Sequence, residues 1–396
     1  MSTPNKRHLY LVLEDWEEGY TVRKIDVESF DDAGGGAADA KKEPAEALPD
    51  PPVIRVEAEH GQAALFTALG TRILALHRSA AAGAGVPVFD TATLGLAVAP
   101  PPPPPPQGED APARRPTLVS VGGDRVYGLE AATIKAAAGD REVRHFVVLR
   151  APAPPSRKQW SWGTVPAPPP FSPASVSCYA VHPDARTVFF SVGRAPAGSG
   201  RNGGSGTFSF NTQRLEWTCH GAWLLPFTGQ AHYDAKLGAW VGISGGSGGG
   251  GDTDAGAACG RVCSCDVVAP GGGRRTPSPE WKLGAEQLFC DDEERHVGAA
   301  LVHMGDSRFC LLECVKPRAA VLESAMAMPA KADGTGKKRM WKVKQQESYL
   351  LHVTAFGLKY GDHGELTAAA MGRRRRSYEV PEGAAKFLEK PVAFWM

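Results

Sequence analysis

The sequence is short of most features that would announce a function. Its 396 residues carry 44 Lys plus Arg against 43 Asp plus Glu, a formal charge of +1, so no net field draws it to nucleic acid or to an anionic membrane. No run approaches the ~18 consecutive apolar residues that span a bilayer. The apolar start Leu9–Leu13 is cut at once by Glu14 and Asp15, too early for the core of a signal peptide. Asn5, Asn202 and Asn211 open no glycosylation sequon, and eight irregularly spaced Cys make no disulfide framework. These absences set the expectation of a cytoplasmic protein, with the nucleus as the other compartment, holding free buried thiols and having no membrane or nucleic-acid partner.

Helical periodicity is equally scarce. The apolar residues come in short alternating runs separated by Gly, Pro, Asp and Asn, which is the pattern of an all-β chain. Five hairpins share one plan, starting at Phe66, Leu118, Val176, Ala231 and Ala300, spaced 52, 58, 55 and 69 residues apart. Each runs through a turn holding Gly70, Asp124, Asp184, Asp234 or Asp306. A second class of hairpin lies between them, clearest at Val86–Val98 and Gly206–Thr218, where Asp90 and Asn211 begin tight turns whose side chains can bond the main chain two residues on. Two hairpins make a four-stranded unit, and such units repeating along a chain stack radially as propeller blades.

The expected fold is therefore a single β-propeller domain over 1–396, with six blades as the expected count and seven as the rival. Three N-terminal strands (LYLVLEDW, YTVRKIDVESF and PPVIRVEAE) fall one short of a blade, and a C-terminal strand would complete it and close the ring. The abundant Gly (46) and Pro (33) fall in low-complexity loops at 31–52, 99–116, 151–170, 194–206, 244–260, 269–279 and 316–346, which are expected to be disordered.

The ordered run FNTQRLEWTCHGAWLLPF, GQAHYDAKLGAWVGI, GRVCSCDV, RFCLLEC and VTAFGLKYGDHGEL resembles the large family of grass proteins with kelch-like, galactose-oxidase-like propellers, a domain of unknown function. The resemblance covers nearly the whole chain and implies a fold, not an activity. Only Gly122 and Gly123 match a kelch double glycine, and no Tyr and His set for copper can be placed.

Each chemical pattern in the chain has a structural explanation. Gly198, Gly200 and Gly203 fit G-x-G-x-x-G, but a strand follows rather than a helix; Gly242, Ser244 and Gly246 fit G-x-S-x-G, but a glycine tract follows. Cys259, Cys263, Cys265, Cys290, His296 and His303 lack zinc-site spacing, so Cys263 with Cys265, and Cys310 with Cys314, are expected to share core-facing strand sides. Asp291–Glu294 beside His296 reads as a solvated loop and His182 as a turn residue. Arg373–Arg376 and the basic cluster Lys337–Lys344 could serve nuclear import, and Pro100–Pro106 could dock a proline-binding partner. The tryptophans Trp160, Trp162, Trp217, Trp223, Trp240 and Trp281 recur at similar places and are expected to pack between blades.

No catalytic, cofactor-binding or metal-binding residue is assigned. The expected function is a non-catalytic, monomeric scaffold that binds an unidentified protein through its loops. The alternative is a propeller enzyme or carbohydrate-binding protein acting at the mouth of the central channel.

Overall fold

The computed structural model describes residues 6–30, 45–58, 64–77, 85–103, 116–134, 141–152, 159–193, 205–245, 260–273, 276–290, 292–317, 349–369, 373–381, 384 and 387–396. Alternating runs become 25 strands among these residues, numbered here in chain order. They form four-stranded antiparallel sheets arranged as the blades of an all-β propeller.

The first sheet runs β25 (Val392–Trp395), β1 (Leu9–Trp16), β2 (Gly19–Ile25), β3 (Ile54–Glu57), so the last strand lies antiparallel to the first. The second holds β4 (Ala64–Leu69), β5 (Arg72–His77), β6 (Val86–Asp90) and β7 (Gly95–Ala99). The third holds β8 (Thr117–Val121), β9 (Arg125–Ile134), β10 (Arg141–Arg150) and β11 (Ser161–Thr164). The fourth comprises β12 (Val176–Val181), β13 (Thr187–Val192), β14 (Gly206–Asn211) and β15 (Glu216–Gly221), and the fifth β16 (Phe227–Asp234), β17 (Ala239–Ser244), β18 (Val262–Asp266) and β19 (Trp281–Leu283). Their leading strands β12 and β16 pair in parallel through Cys178–Ala180 and Gly229–Ala231, fusing the two into one eight-stranded sheet. In the sixth, β20 (His296–Gly305) and β21 (Arg308–Val315) precede a long β22 (Tyr349–Tyr360), which pairs with β24 (Arg374–Val380) over its first part and β23 (Leu366–Ala368) over its end.

Because strand side chains alternate between faces, a sheet buried on both sides contributes to two cores. On β1, Leu9, Leu11 and Leu13 pack against the sixth sheet's Cys310, Leu312 and Cys314, while Tyr10 and Val12 pack against the second sheet's Phe66, Ile73 and Ala75. On β17, Trp240 faces the fourth sheet and Val241 and Ile243 face the sixth. Further clusters join the second sheet to the third and the third to the fourth.

All five hairpins read from the repeat are present, as β4–β5, β8–β9, β12–β13, β16–β17 and β20–β21. Several loop boundaries need correcting. Ser161–Thr164 inside 151–170 is strand β11, Ala99 at the start of 99–116 is a fully buried end of β7, and Glu46 inside 31–52 bridges Tyr378. Flanking Pro and Gly hid these short pairings. Segments 318–348 and 246–259, including Cys259, Gly246 and Lys337–Lys344, lie outside the described residues, as do Gly198, Gly200, Gly203, Asp291 and Pro104–Pro106.

Candidate functional site

Three places gather unusual side chains, and the turn chemistry explains the first. Asp90, Asp184, Asn211 and Asp234 each take two main-chain N–H groups two and three residues ahead, at 2.8–3.3 Å. Asp234 does more than close its own turn. It is 1% exposed and reaches the sixth sheet, accepting from Ser307 N (2.8 Å), Ser307 Oγ (2.7 Å) and His303 Nε2 (2.9 Å). Burial works to raise its pKa, but the bonds from Ser307, Leu237 and His303 hold the carboxyl below its usual range. The turn it grips needs that grip. Asp306 and Ser307 both sit at positive φ (52° and 58°), a two-residue hairpin geometry that favours Asn and Gly. Nearby His232 bonds Leu301 O (2.9 Å), and burial, with a contribution from His303, pushes its pKa down to about 4.

The second place is a buried polar cluster where the loop after β19 meets the sixth sheet. Glu313, 1% exposed among the apolar residues Phe309–Val315 of β21, accepts from Cys290 N at 3.0 Å on both oxygens and faces His296 Nδ1 at 3.1 Å. The half-buried His296 ring stacks on Phe289, with centroids 5.0 Å apart. With Nδ1 donating to the carboxylate, a neutral imidazole carries its lone pair on Nε2, the arrangement of an oriented general base. Arg295, 2% exposed, donates from Nε to Lys316 O (2.9 Å) and from Nη1 to Cys290 Sγ (3.6 Å). One strand over, His352 bonds Ser377 Oγ (2.8 Å); burial and then the charges of Arg375, Arg295 and Arg373 press its pKa to about 3.

Cys290 and His296 are thus brought together, while the other Cys and His candidates go elsewhere. Cys263 and Cys265 pack in the core between the fourth and fifth sheets, Cys310 and Cys314 in that between the sixth and first, and burial raises all four thiol pKa values. Among the described residues no three His, Cys, Asp or Glu side chains are grouped to hold a metal ion. Of the Arg run, Arg374–Arg376 open strand β24 and Arg373 precedes it. Arg373 donates to Gln287 O (3.3 Å) and Leu288 O (3.0 Å), and the Arg376 guanidinium lies 4.8 Å from the Phe30 ring centroid. Four tryptophans donate their indole N–H to main-chain oxygens across units: Trp162 to Pro100, Trp217 to Ala167, Trp223 to Thr276 and Trp240 to Val181, at 2.8–3.0 Å. Glu313 went unnoticed in the sequence, although a lone carboxylate inside RFCLLECV is the signal that could have found it.

The third place is β7. Leu96 and Val98 are 69% and 71% exposed on this outer strand of the second sheet, and Leu94, in the turn before it, is 70% exposed. The Asp90 turn fixes the strand's start, with Thr71 Oγ1 also on Asp90 (3.0 Å) and Gly95 N on Thr93 Oγ1 (3.3 Å). The described outer strands β3, β15, β19 and β24 carry charge, at Arg55 and Glu57, Glu216, Lys282, and Arg374–Arg376; β11 and β23 are uncharged but mostly buried or half-buried. An apolar edge without charge or Pro is the kind that adds another strand.

No helix among the described residues is long and apolar enough to cross a membrane. No curated protein sequence matches the chain. Among solved structures, the chain is similar to a Bacteroides fragilis protein assigned as a 6-phosphogluconolactonase (10% identity, 99% of each chain, TM-score 0.38) and to one assigned likewise from Bacteroides uniformis (11%, 99% of this chain and 100% of that, 0.37). It is also similar to TolB from Acinetobacter baumannii (9%, 84% and 81%, 0.22). At these scores the likenesses carry no argument. A family model matches residues 6–376, and the chain therefore belongs to the family described as protein of unknown function (DUF1668).

Proposed function

We propose that the protein is a non-catalytic, protein-binding scaffold, built as one six-bladed ring that is closed by β25 on β1 and makes contact through the outer rim of its second blade. The observation that carries this reading is the apolar outer strand β7, with Leu96 and Val98 on it and Leu94 in the turn before it each about 70% exposed. Exposed apolar patches of this kind mark interaction surfaces more often than catalytic ones. The cyclic set of shared cores, running from the first sheet round to the sixth and back, supports the single six-bladed ring. The kelch-like grammar, a plant origin and a cytoplasmic location belong to the same proposal and rest on the sequence patterns alone.

The test is capture of partners from source tissue by tagged wild-type protein and by a Leu96→Lys variant side by side. A protein retained by the first and lost by the second is the expected result. Identical protein sets from both would overturn the reading of β7 as the contact.

A second reading has one specific observation behind it: His296, oriented by buried Glu313 and adjoining Cys290, has the build of an acid–base pair. A proton-transfer activity abolished by both His296→Ala and Glu313→Gln, with the fold intact by circular dichroism, would favour it over the scaffold.

A further inference from the structure

We propose that β7 pairs antiparallel with β7 of a second copy of this chain, about a two-fold axis at Ala97. The proposal rests on the reading of β7 as a protein contact and names its occupant, departing from the monomer expected from sequence.

The main-chain geometry sets the register. Inside the sheet Val98 stands opposite Pro87, Ala97 opposite Val88 and Leu96 opposite Phe89. Pro87 has no N–H, so the Pro87–Val98 pair cannot exchange two hydrogen bonds and must be a non-bonded pair of the ladder. By alternation Ala97 and Ala99 spend their N–H and C=O groups on β6, while Leu96 and Val98 turn theirs outward to the free edge. The usable window is short. Leu94 leaves extended geometry at φ 56°, and beyond Ala99, Pro100 brings no N–H and its carbonyl already accepts from Trp162 Nε1 at 2.8 Å.

A strand that fits must therefore offer two outward residues, two apart, with apolar side chains on the same face and no charge to bury. β7 itself is such a strand. With the axis at Ala97, Leu96 of each copy stands opposite Val98 of the other, and the two pairs exchange four hydrogen bonds. Leu96 and Val98 from both copies then lie on one face as cross-strand apolar neighbours. No charged residue lies within 94–99, so the pairing buries no unmatched charge, and it joins two four-stranded sheets into one of eight. A single strand pair is smaller than the ~1,200–2,000 Å² of a standard interface, which places the dimer in the weak, concentration-dependent class.

Sedimentation of the purified full chain from micromolar to high-micromolar loading tests the association, and cysteine substitution tests the register. Across a non-bonded antiparallel pair the Cα atoms lie ~4.5 Å apart, inside the ~4.4–6.8 Å range of a disulfide. Ala97→Cys is therefore expected to oxidise to a covalent dimer, while wild type and Ala92→Cys, at the exposed turn, stay uncrosslinked under the same conditions. Leu96→Lys and Val98→Lys are expected to remain monomeric across the loading range with an unchanged melting temperature. A wild type that is monomeric throughout, an Ala97→Cys that crosslinks no better than Ala92→Cys, or a dimer that survives Leu96→Lys would each overturn the proposal. Monomeric wild type that still captures a different protein through Leu96 would overturn self-pairing and leave the protein-binding reading standing.

Discussion

The outer edges of the second and sixth sheets solve one problem in opposite ways. On the sixth, Glu46 lies along β24, bridging Tyr378 and taking Glu379 N at 2.9 Å, while Gly284 bridges Leu366 on β23 and Glu286 Oε1 takes Ala368 N at 2.9 Å. On the second, β7 has no described strand beyond it. The interiors differ in step with the edges. Behind the covered edge lie Arg295, Glu313, His352 and Thr354, all buried, whereas among the second sheet's described residues Thr67, at 7%, is the buried polar one. Covering an edge with chain keeps water out and lets a sheet hold charges in mutual hydrogen bonds. A bare edge goes with an apolar interior that stands without such help.

Breaking that contrast should cost most on the sixth sheet. Asp234→Ala strips Ser307 and His303 of a buried acceptor and releases a strained turn, so urea unfolding should show a loss of about 3–5 kcal/mol. Asp90→Ala on the second sheet, where the carboxylate is part-exposed, should cost only about 1 kcal/mol. Next comes pH. His352 and His232 are held neutral in the fold, with pKa values of about 3 and about 4 against 6.5. The unfolded chain binds their protons first, so stability is full above about pH 6.5 and is lost as pH falls toward 4 and below. Thermal melts at pH 7, 5.5 and 4 should fall progressively, by an amount on the order of a few kcal/mol, and His352→Gln should flatten the slope. A slope unchanged in that variant would detach the effect from the sixth sheet. A smaller effect of opposite sign is expected at Leu94. The equivalent turn position is Gly238 on β16–β17, at φ 65°, so Leu94→Gly at φ 56° should stabilise by about 1 kcal/mol in the same unfolding assay. The smallest change belongs to Leu96→Lys, within about 0.5 kcal/mol of wild type, because the side chain packs on little.

The sequence made the repeat legible because hairpins are local: Asp90, Asp184, Asn211 and Asp234 announce their turns within four residues of chain. The pairing of a C-terminal strand with β1 could also be anticipated, since three strands at the N-terminus were one short of a four-stranded unit. What stayed hidden is what one sheet does to the next. Nothing in HYDAKLG says that Asp234 will hold Ser307 73 residues later, or that Glu313 will meet a main-chain N–H 23 residues before it. The contacts of Arg373–Arg376 were hidden for the same reason. Four arginines in a row look solvated, but each is half-buried as the chain runs along β22 to Phe30 and Leu288. Exposure on β7 was invisible too, because GLAVA reads identically for a buried strand and a bare one.

The parallel pairing of β12 with β16 carries a dynamic consequence. Sheets that touch only through side chains can slide or splay against one another, but the fourth and fifth share main-chain hydrogen bonds at Cys178–Ala180 and Gly229–Ala231. Gly284 on Leu366 ties the fifth to the sixth and Glu46 on Tyr378 ties the chain after the first sheet's β2 to the sixth in the same way, so breathing should concentrate around the second and third sheets, while the fused fourth and fifth exchange their amide protons late.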